Sequence, residues 1–264
     1  MTTGATDQST AQARAQQSLK NLRAAVRVAT KRPGKEKSIH DLRVTIRRFK
    51  QVLRVYAAYF DRTRKMRRGL RGLMDLCGEA RNCDVAVEVL EAAGVPAARS
   101  LKLELTKRRA KATRVLAHEL KDWHIRANMR RWREWLTVKA GEDPAAKPSI
   151  PELAGEFLKS GGTAARAEAG YQQMHKFRLL VKKTRYASEI LGAPKTRLET
   201  LRALQDRLGA INDCVTTGDL LADLNLHGPE RRKLQAALKL LAAKRSGEFR
   251  AYWSAHFGRK GRIK

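Results

Sequence analysis

Seven prolines divide the chain into segments that have the composition of α-helices. They fall at Pro33, Pro96, Pro144, Pro148, Pro151, Pro194 and Pro229. The segments between them are rich in Ala, Leu, Arg, Lys and Glu, and none alternates apolar and polar residues as a half-buried strand does. Proline interrupts a helix because it lacks an N–H and clashes with the preceding turn. The sequence therefore predicts an all-α fold.

Further breaks at 61–63 and at Gly170 give eight predicted helices in one domain of two halves. The spans are 7–31, 36–60, 63–93, 97–140, 152–168, 171–191, 195–226 and 229–256. Residues 141–151 contain three prolines and are predicted to be a linker. Residues 1–15 are polar and are expected to form an N-terminal tail, which leaves 16–264 as the domain. We expect four-helix bundles at 16–140 and 152–264.

The two halves repeat each other. HDLRVTIRRFK, residues 40–50, aligns with HKFRLLVKKTR, residues 175–185, at an offset of 135 positions. GEARNCDV, residues 78–85, aligns with GAINDCV, residues 209–215, at an offset of 131. The order of the two motifs is the same in both halves. Duplication of a four-helix unit explains this, and it predicts two bundles related by an approximate two-fold axis.

A stripe of cations borders the apolar face of the first repeated helix. Ile39, Leu42, Ile46 and Phe49 step by three or four residues and predict the buried face. One position later the same spacing gives a second stripe, which 3.6 residues per turn place about 100° from the first. The stripe consists of His40, Arg43, Arg47, Lys50 and Arg54. The second repeated helix carries His175, Arg178, Lys182 and Arg185 in the same way.

The charge of the chain indicates a polyanionic partner. Its 264 residues include 56 Lys and Arg against 26 Asp and Glu, a formal net charge of +30. No acid shares the first stripe between His40 and Arg54. Cations three or four residues apart on one helix face repel each other, so an external anion along the stripe explains the pattern. Further basic runs at helical spacing are Lys20, Arg23 and Arg27 with Lys31, and Arg64, Arg67, Arg68 and Arg71.

These motifs resemble the conserved histidine α-helical domain, or CHAD, family. Its helix pattern H-x-x-R-x-x-x-[RK]-[RK]-x-[RK] is met at 40–50 and at 175–185, where it continues into Tyr186. Its second pattern, L-Q-x-x-L-G-x-x-N-D, is similar to LQDRLGAIND at 204–213 and to the degenerate LMDLCGEARNCDV at 73–85. The resemblance implies two pseudo-symmetric four-helix bundles that bind inorganic polyphosphate in a basic central cavity and associate with polyphosphate granules in the cytoplasm.

The candidate polyphosphate-binding residues follow from the two stripes and the resemblance. They are His40, Arg43, Arg47, Arg48, Lys50, Arg54, His175, Arg178, Lys182, Lys183, Arg185 and Tyr186. Lys20, Arg23 and Arg27 are secondary candidates. For His40 and His175 the alternatives are a metal ligand or a histidine bonded at the edge of the core, and no acid or cysteine follows either histidine at ligand spacing on its face. For Asn212 and Asp213 the expectation is helix packing.

The leading functional interpretation is non-enzymatic binding of polyphosphate, with no cofactor and no metal. Neither a G-x-x-x-x-G-K-[ST] stretch nor paired acids in the stripes supports phosphoryl chemistry. The alternative is a basic helical protein that binds nucleic acid, since Trp123, Trp132 and Trp135 alternate with arginines that could stack on bases. Three cysteines and the absence of a long apolar run predict a cytoplasmic protein with reduced thiols and no membrane insertion.

Overall fold

The computed structural model describes residues 3–123, 125–138, 150–224 and 226–258, and the regular elements among them are helices. Their bounds are α1 Thr3–Lys31, α2 Glu36–Val55, α3 Thr63–Gly69, α4 Arg71–Ala92, α5 Arg99–Asp122, α6 Ile125–Trp135, α7 Ile150–Ala164, α8 Tyr171–Ile190, α9 Lys195–Ala222 and α10 Gly228–Phe257. A 3₁₀ turn, Ala57–Tyr59, lies between α2 and α3. The predicted all-α class is confirmed.

The predicted helices depart from the structure most at one early end and two divisions, while those predicted at 152–168 and 195–226 end four residues early, at Ala164 and Ala222. The helix predicted at 36–60 ends at Val55, where Tyr56 leaves helical geometry and the 3₁₀ turn begins. The helix predicted at 63–93 is divided into α3 and α4 at Leu70, which lies between Gly69 and Gly72. Glycine is a poor helix former because of its backbone entropy, so two glycines so close together favour a break. The helix predicted at 97–140 is divided into α5 and α6.

Residues 3–15 are helical and do not form the tail that their polar composition predicts. Helix α1 begins at Thr3, and Ala11 and Ala15 are fully buried. The Val138 N–H donates to Gln12 Oε1 at 2.8 Å, which links α1 to the end of α6. Residues 141–149 of the expected linker lie outside the described residues, and the remaining two, Ile150 and Pro151, open helix α7.

The chain divides into two compact units whose limits differ from the expected halves. One unit comprises Met1–Arg81 with Leu105–Lys147, and the other comprises Asn82–Glu104 with Pro148–Lys264. Residues 82–104, which were expected in the first half, group with the second unit. The relation of two four-helix bundles by a two-fold axis stays a prediction.

The core of the first unit contains the apolar face predicted for α2. Ile39, Leu42, Ile46 and Phe49 are all buried. The Phe49 ring stacks on Trp132 of α6, with ring centroids 5.9 Å apart and planes 16° from parallel. Trp132 is itself buried. It therefore serves core packing, and the base-stacking role considered for it is wrong.

The core of the second unit is aromatic and joins four helices. Phe157 of α7 packs edge-on against Phe177 of α8 at 5.1 Å, and Phe177 meets Trp253 of α10 at 5.2 Å. Leucines of α9, including Leu204 and Leu208, belong to the same buried cluster. On α8 the residues one position before the cations of the stripe, Met174, Phe177, Val181 and Thr184, are buried, whereas Leu191, just beyond α8, is exposed.

We predict that Gly161→Ala destabilises the second unit. Gly161 is buried in α7, and a Cβ at this position would overlap the Trp253 indole. The indole cannot move aside freely because it packs against Phe177 and stacks on Phe257. Overpacking of this kind costs about 1–3 kcal/mol or more. The measurement is urea unfolding followed by circular dichroism.

Gly162→Ala is the matched control, because it adds the same methyl group one residue further along α7. A Cβ on Gly162 meets no atom within 4 Å. Alanine stabilises a helix interior relative to glycine by about 0.5–1 kcal/mol. We therefore expect the two variants to move the unfolding midpoint in opposite directions. Equal midpoints would show that the contact between Gly161 and Trp253 does not constrain the core.

Candidate anion-binding site

Helix α2 carries the cation stripe of the first unit along the edge of its buried face. Arg43, Arg47 and Lys50 are half-buried, whereas His40 and Arg54, at the two ends of the stripe, are exposed. This gradient follows from the rotation of the helix, because the stripe lies next to the residues that pack into the core. Long basic side chains suit such positions, since the aliphatic stem can be buried while the charged end stays near solvent.

Arg43 lies against helix α4 beside the glycine of the second repeated motif. Its Nη1 donates to the Met74 carbonyl at 3.4 Å. A Cβ on Gly78 would stand 3.2 Å from the same Nη1, so a glycine at this position leaves room for the guanidinium. Burial raises the pKa of the adjacent Cys77 thiol to about 11, against the opposing effect of the Arg43 charge. Cys77 is therefore a neutral packing residue at physiological pH.

Cations from three helices converge around Lys50. Burial lowers the pKa of Lys50, and the nearby charges of Arg54, Arg71 and Arg67 lower it further. One carboxylate, Asp75, opposes them. Burial, Arg54 and a further cation of α3 also lower the pKa of Arg67. The basic run of α3 and α4 thus extends the α2 stripe into a cluster.

In the second unit, a hydrogen-bonded chain holds the histidine of the α8 stripe. The Tyr171 hydroxyl donates to Asn212 Oδ1 of α9 at 3.1 Å, and it lies 3.1 Å from His175 Nδ1. The hydroxyl has one proton and donates it to Asn212, so the tyrosine oxygen acts as the acceptor for Nδ1–H of His175. The chain fixes the tautomer of His175 and leaves Nε2 for another partner.

Two acids of α9, Asp213 and Asp219, also lie near Tyr171. Burial raises the pKa of Tyr171, the charge of Arg178 opposes this rise, and Asp219 and Asp213 add to it. Arg178 of the stripe is therefore close to Tyr171 and His175. Asn212 of the second motif therefore packs against the stripe helix, whereas the packing role expected for Asp213 stays a prediction.

The corresponding positions of the first unit are also in contact, but with different chemistry. Glu36 is the repeat equivalent of Tyr171 at the first offset of 135 positions. Arg81 is the equivalent of Asn212 at the second offset of 131. Arg81 Nη1 donates to Glu36 Oε1 in an ion pair. The repeat is therefore preserved as a register between two packed helices, while a charge pair replaces a hydrogen bond.

Two of the candidate residues serve internal packing. Arg185 donates to Gln205 Oε1 at 2.9 Å and to Glu189 Oε2 at 3.3 Å, and its guanidinium lies 4.1 Å from the centre of the Tyr186 ring. Tyr186 is only 4% exposed. Through these contacts Arg185 and Tyr186 support the stripe helix. Gln205 is the glutamine of the second motif, and its bond to Arg185 gives that residue a structural role.

The remaining candidates differ in exposure. Lys182 is half-buried on α8, and Arg48 and Lys183 are exposed on the flanks of the two stripes. The secondary candidates Lys20, Arg23 and Arg27 are exposed on α1. Each stripe lies in its own unit, so a single groove that contains both stays a prediction.

Within the described ranges, no group of three or more His, Cys, Asp or Glu side chains is arranged to hold a metal ion. None of the helices in the same part of the chain combines the length and the apolar character that a membrane span needs.

Comparison with known proteins identifies the family. The family model of the CHAD domain matches residues 8–222, which is most of the chain. The chain belongs to the CHAD family. Its fold is similar to that of the CHAD domain from the plant Ricinus communis, with 22% sequence identity, a TM-score of 0.71, and coverage of 94% of this chain and 91% of that one.

A second solved structure with a similar fold is PptA from Streptomyces chartreusis. The identity is 18% and the TM-score 0.64, and the match covers 94% of this chain and 96% of that chain. A search of curated protein sequences found no significant match. At these identities the two structures support the fold of this CHAD chain and carry no information about its site residues.

We predict that Tyr171→Phe releases the tautomer of His175. The variant removes the oxygen that accepts from Nδ1–H and leaves Asn212 Oδ1, which is buried, without the hydroxyl donor. We expect the proton of neutral His175 to redistribute between its two nitrogens, and a loss of about 1–3 kcal/mol of stability from the unsatisfied carbonyl. Nitrogen-15 NMR of the histidine rings at pH 8 measures the tautomer.

Tyr252→Phe is the matched control, because Tyr252 and His256 have the same spacing on α10. His256 Nδ1 lies 2.9 Å from the backbone carbonyl of Tyr252, which the variant retains. The tautomer of His256 should therefore stay unchanged. An unchanged His175 spectrum in Tyr171→Phe would contradict the proposed chain.

Proposed function

We propose that this CHAD protein binds inorganic polyphosphate through the α2 and α8 stripes and does not alter the polymer chemically. The observation that carries the proposal is the gathering of Arg54 of α2, Arg67 of α3 and Arg71 of α4 around half-buried Lys50, whose pKa is lowered first by burial and then by these charges. Such a cluster opposes folding unless an anion neutralises it. The resemblance of the motifs to the CHAD pattern supports polyphosphate as that anion.

The chemistry of the stripes suits a chain of phosphates. Arginine offers a planar fork that binds phosphate oxygens in a bidentate manner, and lysine adds a compact point charge. Successive cations on one helix face lie about 5–6 Å apart, which gives a repeating anion several contacts in a row. Release of the counterions condensed on the polymer adds to the affinity and makes binding weaken as salt is added.

The second unit contributes a histidine of defined orientation to this proposal. The Tyr171 chain holds Nδ1 of His175, so Nε2 is the nitrogen that would meet a phosphate oxygen. In the neutral ring Nε2 carries a lone pair, and it becomes a donor only when the ring is protonated. A protonated His175 would therefore donate from Nε2 to a phosphate oxygen.

The proposed role is that of a cytoplasmic binding module without catalytic activity. We propose that the protein associates with polyphosphate granules in the cytoplasm as a binding module. The sequence has neither a G-x-x-x-x-G-K-[ST] stretch nor paired acids in the stripes, and Asn212 and Gln205 of the second motif bond Tyr171 and Arg185 of the stripe helix. Shortening of polyphosphate chains on incubation with the protein and Mg²⁺ would overturn this part of the proposal.

We predict that the quadruple variant Arg43→Gln, Arg47→Gln, Arg178→Gln and Lys182→Gln loses tight binding of long-chain polyphosphate. Each substitution removes one contact to phosphate, and the pairs from α2 and α8 can also be made separately. If both stripes contact the polymer, each pair should weaken binding, and the quadruple variant should weaken it by at least about a hundredfold. The measurement is a titration of labelled polyphosphate at near-physiological salt.

The matched control removes the same four charges away from the stripes. Lys111 and Arg114 of α5 and Lys239 and Lys244 of α10 are exposed, two in each unit. Their replacement by glutamine should weaken binding less than tenfold. Equal losses in the two quadruple variants would show that net charge alone binds the polymer. Thermal unfolding establishes that both variants remain folded.

The same assay decides between polyphosphate and nucleic acid. Bound, labelled polyphosphate is challenged with unlabelled polyphosphate, DNA and RNA at equal phosphate concentration. If only unlabelled polyphosphate displaces the label, the result supports a site that selects a thin polymer without bases. Equal displacement by all three would favour the nucleic-acid alternative, since both polymers are bound through the same phosphate contacts.

We predict that polyphosphate binding at pH 9.5 takes up protons through Lys50. In the free protein the pKa of Lys50 lies below its ordinary 10.5, because of burial and of neighbouring cations. An adjacent polyanion favours the charged amine and raises that pKa, so a fraction of Lys50 becomes protonated on binding. Calorimetry in buffers of different ionisation enthalpy measures the uptake. An equal uptake by Lys50→Met would contradict contact between Lys50 and the polymer.

A further inference from the structure

A cavity between α1 and α6 in the first unit combines an apolar floor with a ring of cations. Its volume is about 400 Å³, within the range of small-molecule sites. Leu19 and Met129 form the floor, and each is 7% exposed. Its charged lining consists of Lys20, Arg23, Arg130 and Arg133. None of these residues belongs to the α2 stripe or to the cluster around Lys50.

The walls of the cavity are fixed by contacts outside it. Helix α6 is held at its end by the hydrogen bond from Val138 N–H to Gln12 Oε1. Its middle is held by Trp132, which stacks on Phe49 of α2, and Leu136 is fully buried. The cavity therefore exists before a ligand arrives, and binding does not have to pay the entropy of ordering two helices.

The cations of the cavity are available to an anion. Arg130 Nε lies 3.6 Å from Glu134 Oε1, but both side chains are largely exposed, at 88% and 64%. Exposed pairs of this kind contribute little, about 0–1 kcal/mol, so a phosphate can replace the carboxylate. Lys20 and Arg23 face the same space from α1. Four cations around one small cavity repel each other, and an anion of several charges relieves that repulsion.

The apolar floor indicates which kind of anion fits. Inorganic polyphosphate has no apolar part, so contact with Leu19 and Met129 would add nothing to its binding. A nucleoside polyphosphate combines a flat apolar base with a charged chain. Methionine adapts its shape to a planar group, and the arginine plane stacks on bases. We propose that the cavity binds a nucleoside polyphosphate, with the base on Leu19 and Met129 and the phosphates on the four cations.

This site gives the basic residues of α1 a role separate from the polyphosphate stripes. Lys20 and Arg23 are secondary candidates for polyphosphate by sequence, yet in the structure they face Arg130 and Arg133 across the cavity. The inference does not rest on the proposed function, because the two sites share no residue. Binding at one can be lost while binding at the other is retained.

The test is calorimetric titration of the full chain with three probes at near-physiological salt. ATP carries the base and the phosphates, tripolyphosphate carries phosphates alone, and adenosine carries the base alone. We expect ATP to bind with a stoichiometry of one and at least tenfold more tightly than either of the other probes. Tripolyphosphate that binds as tightly as ATP would overturn the proposal, because the floor would then contribute nothing.

The double variant Arg130→Gln with Arg133→Gln locates the site. Both residues are exposed, so the fold should be retained. We expect ATP affinity to fall at least tenfold and the affinity for long-chain polyphosphate to change less than threefold. The matched control is Lys111→Gln with Arg114→Gln on α5, which removes the same charge.

Three results would contradict the assignment. ATP affinity could fall equally in the control variant, it could be unaffected by Arg130→Gln with Arg133→Gln, or ATP could fail to bind the unaltered protein. Loss of ATP binding in the quadruple stripe variant would instead place ATP on the polyphosphate site. Each of these results leaves the titration with long-chain polyphosphate as an independent measure of the proposed function.

Discussion

Burial of one apolar face on α2 and one on α8 determines where the charges of this protein lie. Ile39, Leu42 and Ile46 fix the rotation of α2, as Phe177 and Val181 fix that of α8. A residue one position later on a helix is turned about 100°, so the cations that follow these core residues must stand at the edge of the core. Arg43, Arg47, Arg178 and Lys182 are half-buried there, and their charges interact more strongly at a given distance than they would on an open surface.

The second repeated motif supports the first. Gly78 makes room for Arg43, Asn212 holds His175 through Tyr171, and the glutamine of the motif bonds a stripe arginine. The two copies keep the same register of helix against helix, as the contact between Glu36 and Arg81 at corresponding positions shows. Register is conserved because both copies pack a similar helix pair, whereas the polar contact itself can change from a hydrogen bond to an ion pair without moving the helices.

Helix class, core faces and the edges that carry charge follow from the sequence, because each depends on spacing along one helix. Contacts between helices do not, since they depend on how far one helix slides along the other. The bonds of Tyr171 to Asn212 and of Arg43 to the Met74 carbonyl are of this kind. The start of α1 was missed for another reason: its buried residues, Ala11 and Ala15, are too small to stand out in a polar segment.

The choice between arginine and lysine at the edge of the core has a chemical consequence. Arginine in general keeps its charge when half-buried, which suits the positions of Arg43, Arg47 and Arg178 at the edge of the core. Lysine loses its proton more easily, and the lowered pKa of Lys50 shows the effect of burial and of neighbouring cations. A bound polyanion reverses that effect. In the binding that we propose, the arginines would supply affinity that is independent of pH. Lys50 would make binding weaken in alkaline solution, where its free amine has lost the charge that the anion requires.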